Sequence, residues 1–382
     1  MRFEQLPFYW RLKPPGTPSP VPEFLPFEYS FDESVQLLIQ KREPETLRNL
    51  ETIYREDYNI GYLQDANDVA QPYGTDFSRF VDAALERWGP RVRRVLELGC
   101  GGCTILSRLK NRGYDVVGID PGPLAEREGA RRGLRVINDF FPTSAFSSEV
   151  DFIFHNDVLE HVENPIEFLR AQRSQLAPGG MVVTAVPDCT EGVFDGDISM
   201  TMHQHLNYFD TESLGNIFSA AGFKVVALER AAYGGSLYCC ALNDESEGSW
   251  IPLRGRDKLD SFLTAAGSRA ALVNSRITTA LMSSRSVGFY VPLRSLPFLS
   301  LTRSWEGFRF FDDTSHWYRK CFDGVEVQVE NIKDLQRAPV EVLFIMSLTF
   351  GRRISERVAS SGISDIDVLL LSDMVPQTVK KR

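Results

Sequence analysis

The chain has 382 residues, 43% hydrophobic and 24% charged, a balance that excludes disorder as the theme and gives length enough for two domains. Its 42 basic against 51 acidic residues leave a net charge of -9, which disfavours nucleic acid and anionic membranes as partners and fits a small acceptor molecule. No stretch approaches the roughly 20 apolar residues of a membrane helix and no charged start leads into an apolar run, so a cytoplasmic location is expected.

Taken in chain order, residues 13–26 ("KPPGTPSPVPEFLP") are too proline-rich for a helix or a central strand and read as an extended arm. "SVQLLIQ" and "ETLRNLETIYREDY" read as helices, "NIGYLQDANDVAQPYG" as a loop, and "TDFSRFVDAALERW" as a helix. From residue 92 short apolar runs alternate with helical stretches: "VRRVLELG", "YDVVGID", "LRVIND", "VDFIFHND" and "GMVVTAVP". That alternation predicts a parallel α/β sheet. A helix capped by Thr211 follows, and then "FKVVALERAAY" and "GGSLYCCAL" are placed to close the sheet edge as an antiparallel hairpin, seven strands in all. Residues 1–75 are thus expected to form the arm and a helical segment, 76–245 the main domain, 246–285 a helical linker, and 286–382 a smaller α/β domain in which "SVGFYVP", "FRFFDD", "EVQV", "VEVLFIMSL" and "DIDVLLLSD" are strands.

"VLELGCGGCTILSRLKNRGYDVVGID" is a strand, a glycine turn, a helix and a strand ending in Asp120. Glycine lets a backbone approach a ligand, and a carboxylate at the second strand's end accepts both ribose hydroxyls, so a nucleoside cofactor is implied; the bland alternative is a tight turn with a solvated Asp. A dinucleotide fingerprint wants a third glycine where Thr104 stands. Glu97, two residues before Gly99, is a poor neighbour for pyrophosphate and a good one for an ammonium and a sulfonium, both carried by S-adenosylmethionine (SAM). Cys100 and Cys103 form a CxxC with no second cysteine or histidine pair at zinc spacing, and no metal is expected.

"ELGCGG", "GIDP", "NDVLEHVENP" and "LAPGGMVVTAVP" resemble the successive motifs of class I SAM-dependent methyltransferases over residues 90–245. The resemblance implies a Rossmann-like seven-stranded sheet. It also implies that Gly99 and Gly101 border the methionine, Asp120 the ribose, Asp139 and Phe140 the adenine, and that Asn156, Asp157 and Val158 close over the cofactor. Asp157 and Glu160 also suit a helix N-terminus electrostatically.

"HQHLNYF", residues 203–209, concentrates two of the five histidines after the fifth strand, at the end of the sheet where open α/β folds bind ligands. One histidine of the two fits a loop bond or a helix cap equally well; the pair, with Asn207 and Tyr208, is expected in the site. The segment, "YGGSLYCCA", the helical linker and the second domain together resemble sugar C-methyltransferases acting on nucleotide-linked deoxysugars, in which the C-terminal α/β domain helps enclose the substrate. On that resemblance His205 is the general base, His203 its partner, and Tyr73 and Tyr208 contact a carbohydrate-like acceptor. The chain departs from those enzymes in three places: no cysteine precedes Cys100, so their zinc module is missing; Gln204 stands where they have Glu; and "VGFYVPLRS" replaces a glycine-rich turn. Asp312, Asp313, His316 and Arg319, with Arg352 and Arg353, are candidates for gripping a sugar or phosphate, or else for a loop turn and a solvated helix face.

Overall fold

The structure, a computed structural model, describes residues 1–9, 11–56, 70–244, 257–302 and 305–374. The chain divides by its contacts into two compact units, one of residues 30–190 and 204–255, the other of residues 1–29, 191–203 and 256–382.

The first unit is built on a seven-stranded sheet in the order Lys224–Arg230, Ser236–Leu242, Leu176–Pro187, Val150–Asn156, Arg94–Leu98, Asp115–Ile119, Arg135–Ile137. Ser236–Leu242 runs antiparallel to both of its neighbours, while the strands from Leu176–Pro187 to Arg135–Ile137 pair in parallel. The strands are apolar on both faces because both faces are covered. Leu96, Leu98, Ile153, Val182 and Val186 point into one buried cluster; the intervening Val95, Phe152, Phe154, Val183 and Ala185 point into another. The helix Ala70–Trp88 covers the second face with Phe77, Val81, Ala84 and Leu85, the spacing of one helical stripe.

Two local expectations are corrected here. "SVQLLIQ" contains the strand Leu37–Gln40 and no helix: Ile39 and Leu38 pair antiparallel with Asn207 and Tyr208. The helix Thr211–Ala220 is capped by Asp210, whose carboxylate accepts the Ser213 N–H at 2.8 Å, and Thr211 is its first residue. Residues 57–69 and 245–256, which carry most of the expected loop and the start of the expected linker, lie outside the described residues, while residues 70–74 of that loop are helical, the start of Ala70–Trp88.

In the second unit a parallel sheet of five strands runs in the order Val329–Glu330, Arg309–Phe311, Val287–Tyr290, Val342–Ile345, Asp367–Leu370. The proline-rich residues do not form a bare arm. Arg2–Pro7 pairs antiparallel with the strand that begins at Phe24, and Leu12–Lys13 pairs with Cys321–Phe322. Beside that small ladder Lys13 and Asp323, both buried, form an ion pair.

Candidate active site

The glycine loop leaves the strand Arg94–Leu98 with Gly99 at φ +66° and Gly101 at φ +44°, conformations that L side chains rarely adopt. A Cβ on Gly99 would lie 2.5 Å from Val158 Cγ2, so the first glycine is what lets the loop after the fourth strand close against it. Asp120, at the end of the second parallel strand, accepts the Gly101 N–H at 2.8 Å through one oxygen and the Gly122 N–H at 2.7 Å through the other. Burial raises the pKa of its carboxyl and those two N–H groups oppose the rise. Glu97 is buried on the same strand as Leu96 and Leu98. The Cys100 and Cys103 thiols lie 3.8 Å apart inside the apolar core, where contact with Cys103 and burial raise the Cys100 pKa.

Farther along the same edge, Asp139 accepts the Thr143 hydroxyl at 2.7 Å and the Phe140 N–H at 2.8 Å, which hold its carboxyl below the usual range. The Arg55 guanidinium lies 4.8 Å over the Phe140 ring, placing the end of the helix Pro44–Tyr54 beside this pair. Tyr73 donates to Asp157 at 2.8 Å and takes the Ser236 hydroxyl at 3.1 Å. Asp157 itself has φ +53°. Tyr73 thus joins Asp157 on the loop after the fourth strand to the serine of "GGSLYCC".

The histidine segment divides at its centre. His203 is buried in the second unit, its ring 5.1 Å from Phe8 and 5.8 Å from Phe27, its Nε2 3.2 Å from the Leu25 carbonyl. Burial depresses its pKa to about 4. His205 is part-exposed in the first unit, and its ring neighbours are His161 at 5.1 Å and Tyr208 at 6.3 Å; Tyr208 is fully buried.

The segment also holds the turn that carries His161. Leu206 N–H donates to the Glu160 carbonyl at 2.8 Å. Asn207 Nδ2 donates to the carbonyls of Leu159 at 3.1 Å and Val162 at 2.7 Å, while its Oδ1 accepts Arg42 at 3.0 Å. His161 Nδ1 lies 2.7 Å from the Gln204 carbonyl, which only accepts, so Nδ1 carries the proton and Nε2 keeps its lone pair. The Tyr54 hydroxyl lies 3.0 Å from the same Nδ1. Burial depresses the His161 pKa to about 4. Glu160, 1% exposed, lies with Oε1 3.7 Å from His161 Nε2, and beyond a weak approach of its own backbone N–H neither of its oxygens has a hydrogen-bond partner among the described residues. Burial, reinforced by Asp157, pushes its pKa well up. The buried carboxyl beside the histidine pair therefore comes from Glu160, while position 204 carries an amide. Sequence reasoning passed over His161 and Tyr54; the former was visible within "NDVLEHVENP", but only the fold brings it to His205.

Of the residues that offered sugar or phosphate contacts in the second unit, Asp312, Asp313 and Arg319 meet neighbours in their own unit, Arg319 lying 3.7 Å from Asp334, while Arg352 and Arg353 are exposed on the helix Gly351–Ser360. Asp312 accepts the N–H of Thr314 at 2.9 Å, and Asp313 accepts the Tyr290 hydroxyl at 2.7 Å and pairs with Arg357.

Residues 71–228 match the sequence family described as "Methyltransferase domain". Among curated proteins, the chain is 31% identical to a ubiquinone biosynthesis O-methyltransferase of Cereibacter sphaeroides over 124 residues, 30% of this chain and 48% of that one. It is 26% identical to the C-methyltransferase NovU of Streptomyces niveus over 204 residues, 50% of this chain and 47% of that one. The chain thus spans about half the length of these relatives. Among solved structures it is similar to the Burkholderia thailandensis 1,6-didemethyltoxoflavin-N1-methyltransferase, with 17% identity and a TM-score of 0.40 over 56% of this chain and 98% of that one. With the strand order, the glycine loop and Asp120 in place, residues 71–228 are a methyltransferase domain of the class I, SAM-dependent kind.

Proposed function

We propose that the protein methylates a carbohydrate-like small molecule, with nucleotide-linked sugars the first acceptors to test, and that His205 is its general base. The observation that carries the reading is the placement of His205 beside His161 in the unit that holds the glycine loop and Asp120. The groups present fit SAM. Gly99 and Gly101 hold the positive-φ turn that follows the first strand, Asp120 keeps further acceptor capacity on both oxygens, and Glu97 is an acid suited to an ammonium. In this reading Gly99, Gly101 and Glu97 border the methionine, Asp120 the ribose, Asp139 and Phe140 the adenine, and Asn156, Asp157 and Val158 close the cofactor side. Bound there, SAM supplies an electrophilic methyl group.

The chain's own work is positional and proton-handling. Transfer needs the acceptor atom held in line and stripped of its proton. His205 in its neutral form takes that proton; Tyr73 and Tyr208 are the proposed acceptor contacts, and His203 supports the segment from its buried ring pocket. The NovU likeness supports a carbon acceptor, and the amide at Gln204 weighs toward oxygen. The ubiquinone-pathway relatives favour a second reading, O-methylation of a metabolite that is not a sugar.

The test is turnover with a panel of nucleotide sugars and phenolic acceptors, with the new methyl located by NMR. A carbon-bound methyl on a sugar supports the first reading and an oxygen-bound methyl on a non-sugar the second. Full turnover by His205→Ala with the true acceptor removes the base assignment. Binding of S-adenosylhomocysteine with no turnover across the panel points to a non-catalytic binding protein.

A further inference from the structure

We infer that Glu160, His161 and His205 form a binding site for one divalent transition-metal cation of the zinc class. One ligand atom from each lies within 4.8 Å of the others, which leaves only small side-chain adjustments to bring two nitrogens and one carboxylate oxygen onto a single ion. All three residues belong to the same unit, so the grouping does not depend on how the units are arranged.

Two further observations point to a cation. The first is the Glu160 carboxyl. It is 1% exposed, it faces His161 Nε2 across 3.7 Å, and beyond a weak approach of its own backbone N–H neither oxygen has a hydrogen-bond partner among the described residues. Burying a carboxyl is costly unless something compensates for the lost water, and buried acids are ordinarily paired, hydrogen-bonded or metal-bound. A contact of 3.7 Å is too long for a hydrogen bond, but it is close to the separation of two ligands on one tetrahedral zinc. The second is the tautomer of His161. Its Nδ1–H is committed to the Gln204 carbonyl at 2.7 Å, so the nitrogen turned toward Glu160 is the one with the lone pair. A backbone carbonyl that fixes one ring nitrogen and so presents the other is a recurrent outer support for metal-bound histidine. Asn207 holds the turn that carries both residues, which keeps the donors in place before any ion arrives.

Two imidazoles and one carboxylate suit zinc, cobalt, iron or manganese and give calcium or magnesium a poor donor set. Three protein ligands leave at least one coordination position for water or an oxygen of another molecule. An ion there occupies a His205 lone pair, so metal binding and general-base chemistry at His205 exclude each other. The site is a statement about binding and stands whether or not the proposed acceptor is correct.

The experiment uses the full chain, tag-free and stripped with a chelator, titrated with Co²⁺ in the visible range and with Zn²⁺ by calorimetry. The expected result is one ion per chain with nitrogen and oxygen coordination bands and no thiolate-to-cobalt charge transfer. Glu160→Gln and His205→Ala are each expected to weaken binding about tenfold or more, with circular dichroism reporting that each variant is folded. Absence of saturable binding overturns the inference, as does binding undiminished in the folded variants or a thiolate band marking Cys100 and Cys103. If a variant fails to fold the other decides. Anomalous diffraction at the zinc edge of the unaltered protein settles it independently: an ion bonded to His161 Nε2 and Glu160 supports the site, and an ion elsewhere sinks it. None of these readouts requires turnover, so failure of the metal site leaves the methyltransferase reading intact, whereas an occupied site keeps the methyltransferase domain and displaces His205 as its base.

Discussion

Each of the two units contains a run of five parallel strands, and the carboxyl ends of the two runs carry different residues. At the end of the seven-stranded sheet the chain puts glycines at positive φ, a carboxylate held by two N–H groups, and a buried acid beside two imidazoles. At the end of the five-stranded sheet the corresponding polar groups are spent on one another: Tyr290 donates to Asp313, Arg357 pairs with Asp313 and reaches the Tyr290 hydroxyl at 2.7 Å. Where a glycine would open the loop after Val287–Tyr290, Val291 occupies φ +63°, a strained position for a β-branched residue. Parallel topology alone therefore does not make a candidate site; the two edges differ in the positive-φ glycines and the grouping of Asp120, Glu160, His161 and His205 at one, and in the Tyr290, Asp313 and Arg357 network at the other.

The sharpest break of that contrast is at His205. His205→Ala is expected to cut turnover by roughly 10² to 10⁴-fold, with affinity for S-adenosylhomocysteine little changed by calorimetry. Next comes Asp120→Ala, expected to weaken S-adenosylhomocysteine roughly 10- to 100-fold, since it removes a charged acceptor that the cofactor ribose would use. Gly99→Ala sets a Cβ 2.5 Å from Val158 Cγ2 at φ +66°; it is expected to cost about 1–3 kcal/mol in denaturant unfolding and to weaken the same ligand. At the other edge, Asp313→Ala should cost about 1 kcal/mol in stability and leave S-adenosylhomocysteine binding where it was. A large loss of cofactor affinity in that variant would contradict the division drawn between the two sheets.

A pH prediction rests on His155, fully buried within the seven-stranded sheet. Its Nδ1 lies 2.9 Å from the Thr184 hydroxyl and its Nε2 3.4 Å from the Gln172 amide nitrogen, and burial depresses its pKa to about 3. The unfolded chain takes up that proton near pH 6.5 and the folded chain only near 3. Its contribution to stability is thus present above pH 6.5 and is lost as the pH falls toward 3, by a few kcal/mol. His155→Phe should flatten the fall in melting temperature over that window; an unaltered slope would show that other groups set it.

Local motifs were readable from the sequence. Gly99, Gly101 and Asp120 lie within one strand-turn-helix-strand unit, and their chemistry follows from neighbours a few residues away. The seven strands were readable for the same reason, since each is a short apolar run with turn residues at its ends. Leu37–Gln40 was not, because its pairing partner is Asn207–Tyr208, and an isolated "QLLIQ" has no period long enough to separate strand from helix. The histidine pair failed in the same way. His203 and His205 are two apart in sequence, yet one packs on Phe8 and Phe27 and the other faces His161, a residue 44 positions earlier. Adjacency in the chain suggested a partnership that the fold gives to another histidine.

The Asn207 side chain has a practical consequence for anyone transplanting this chemistry. Its amide nitrogen bonds the carbonyls on both sides of the Glu160–His161 pair, its oxygen takes Arg42, and Arg42 in turn donates to the Glu163 carbonyl at 2.6 Å. Three stretches of chain, near positions 42, 159–163 and 204–207, are thereby one mechanical part. A chimera that swaps in the histidine segment of a relative without its matching turn and arginine would carry the right letters on a loosened mount, so recombination boundaries should fall outside all three stretches or move them together.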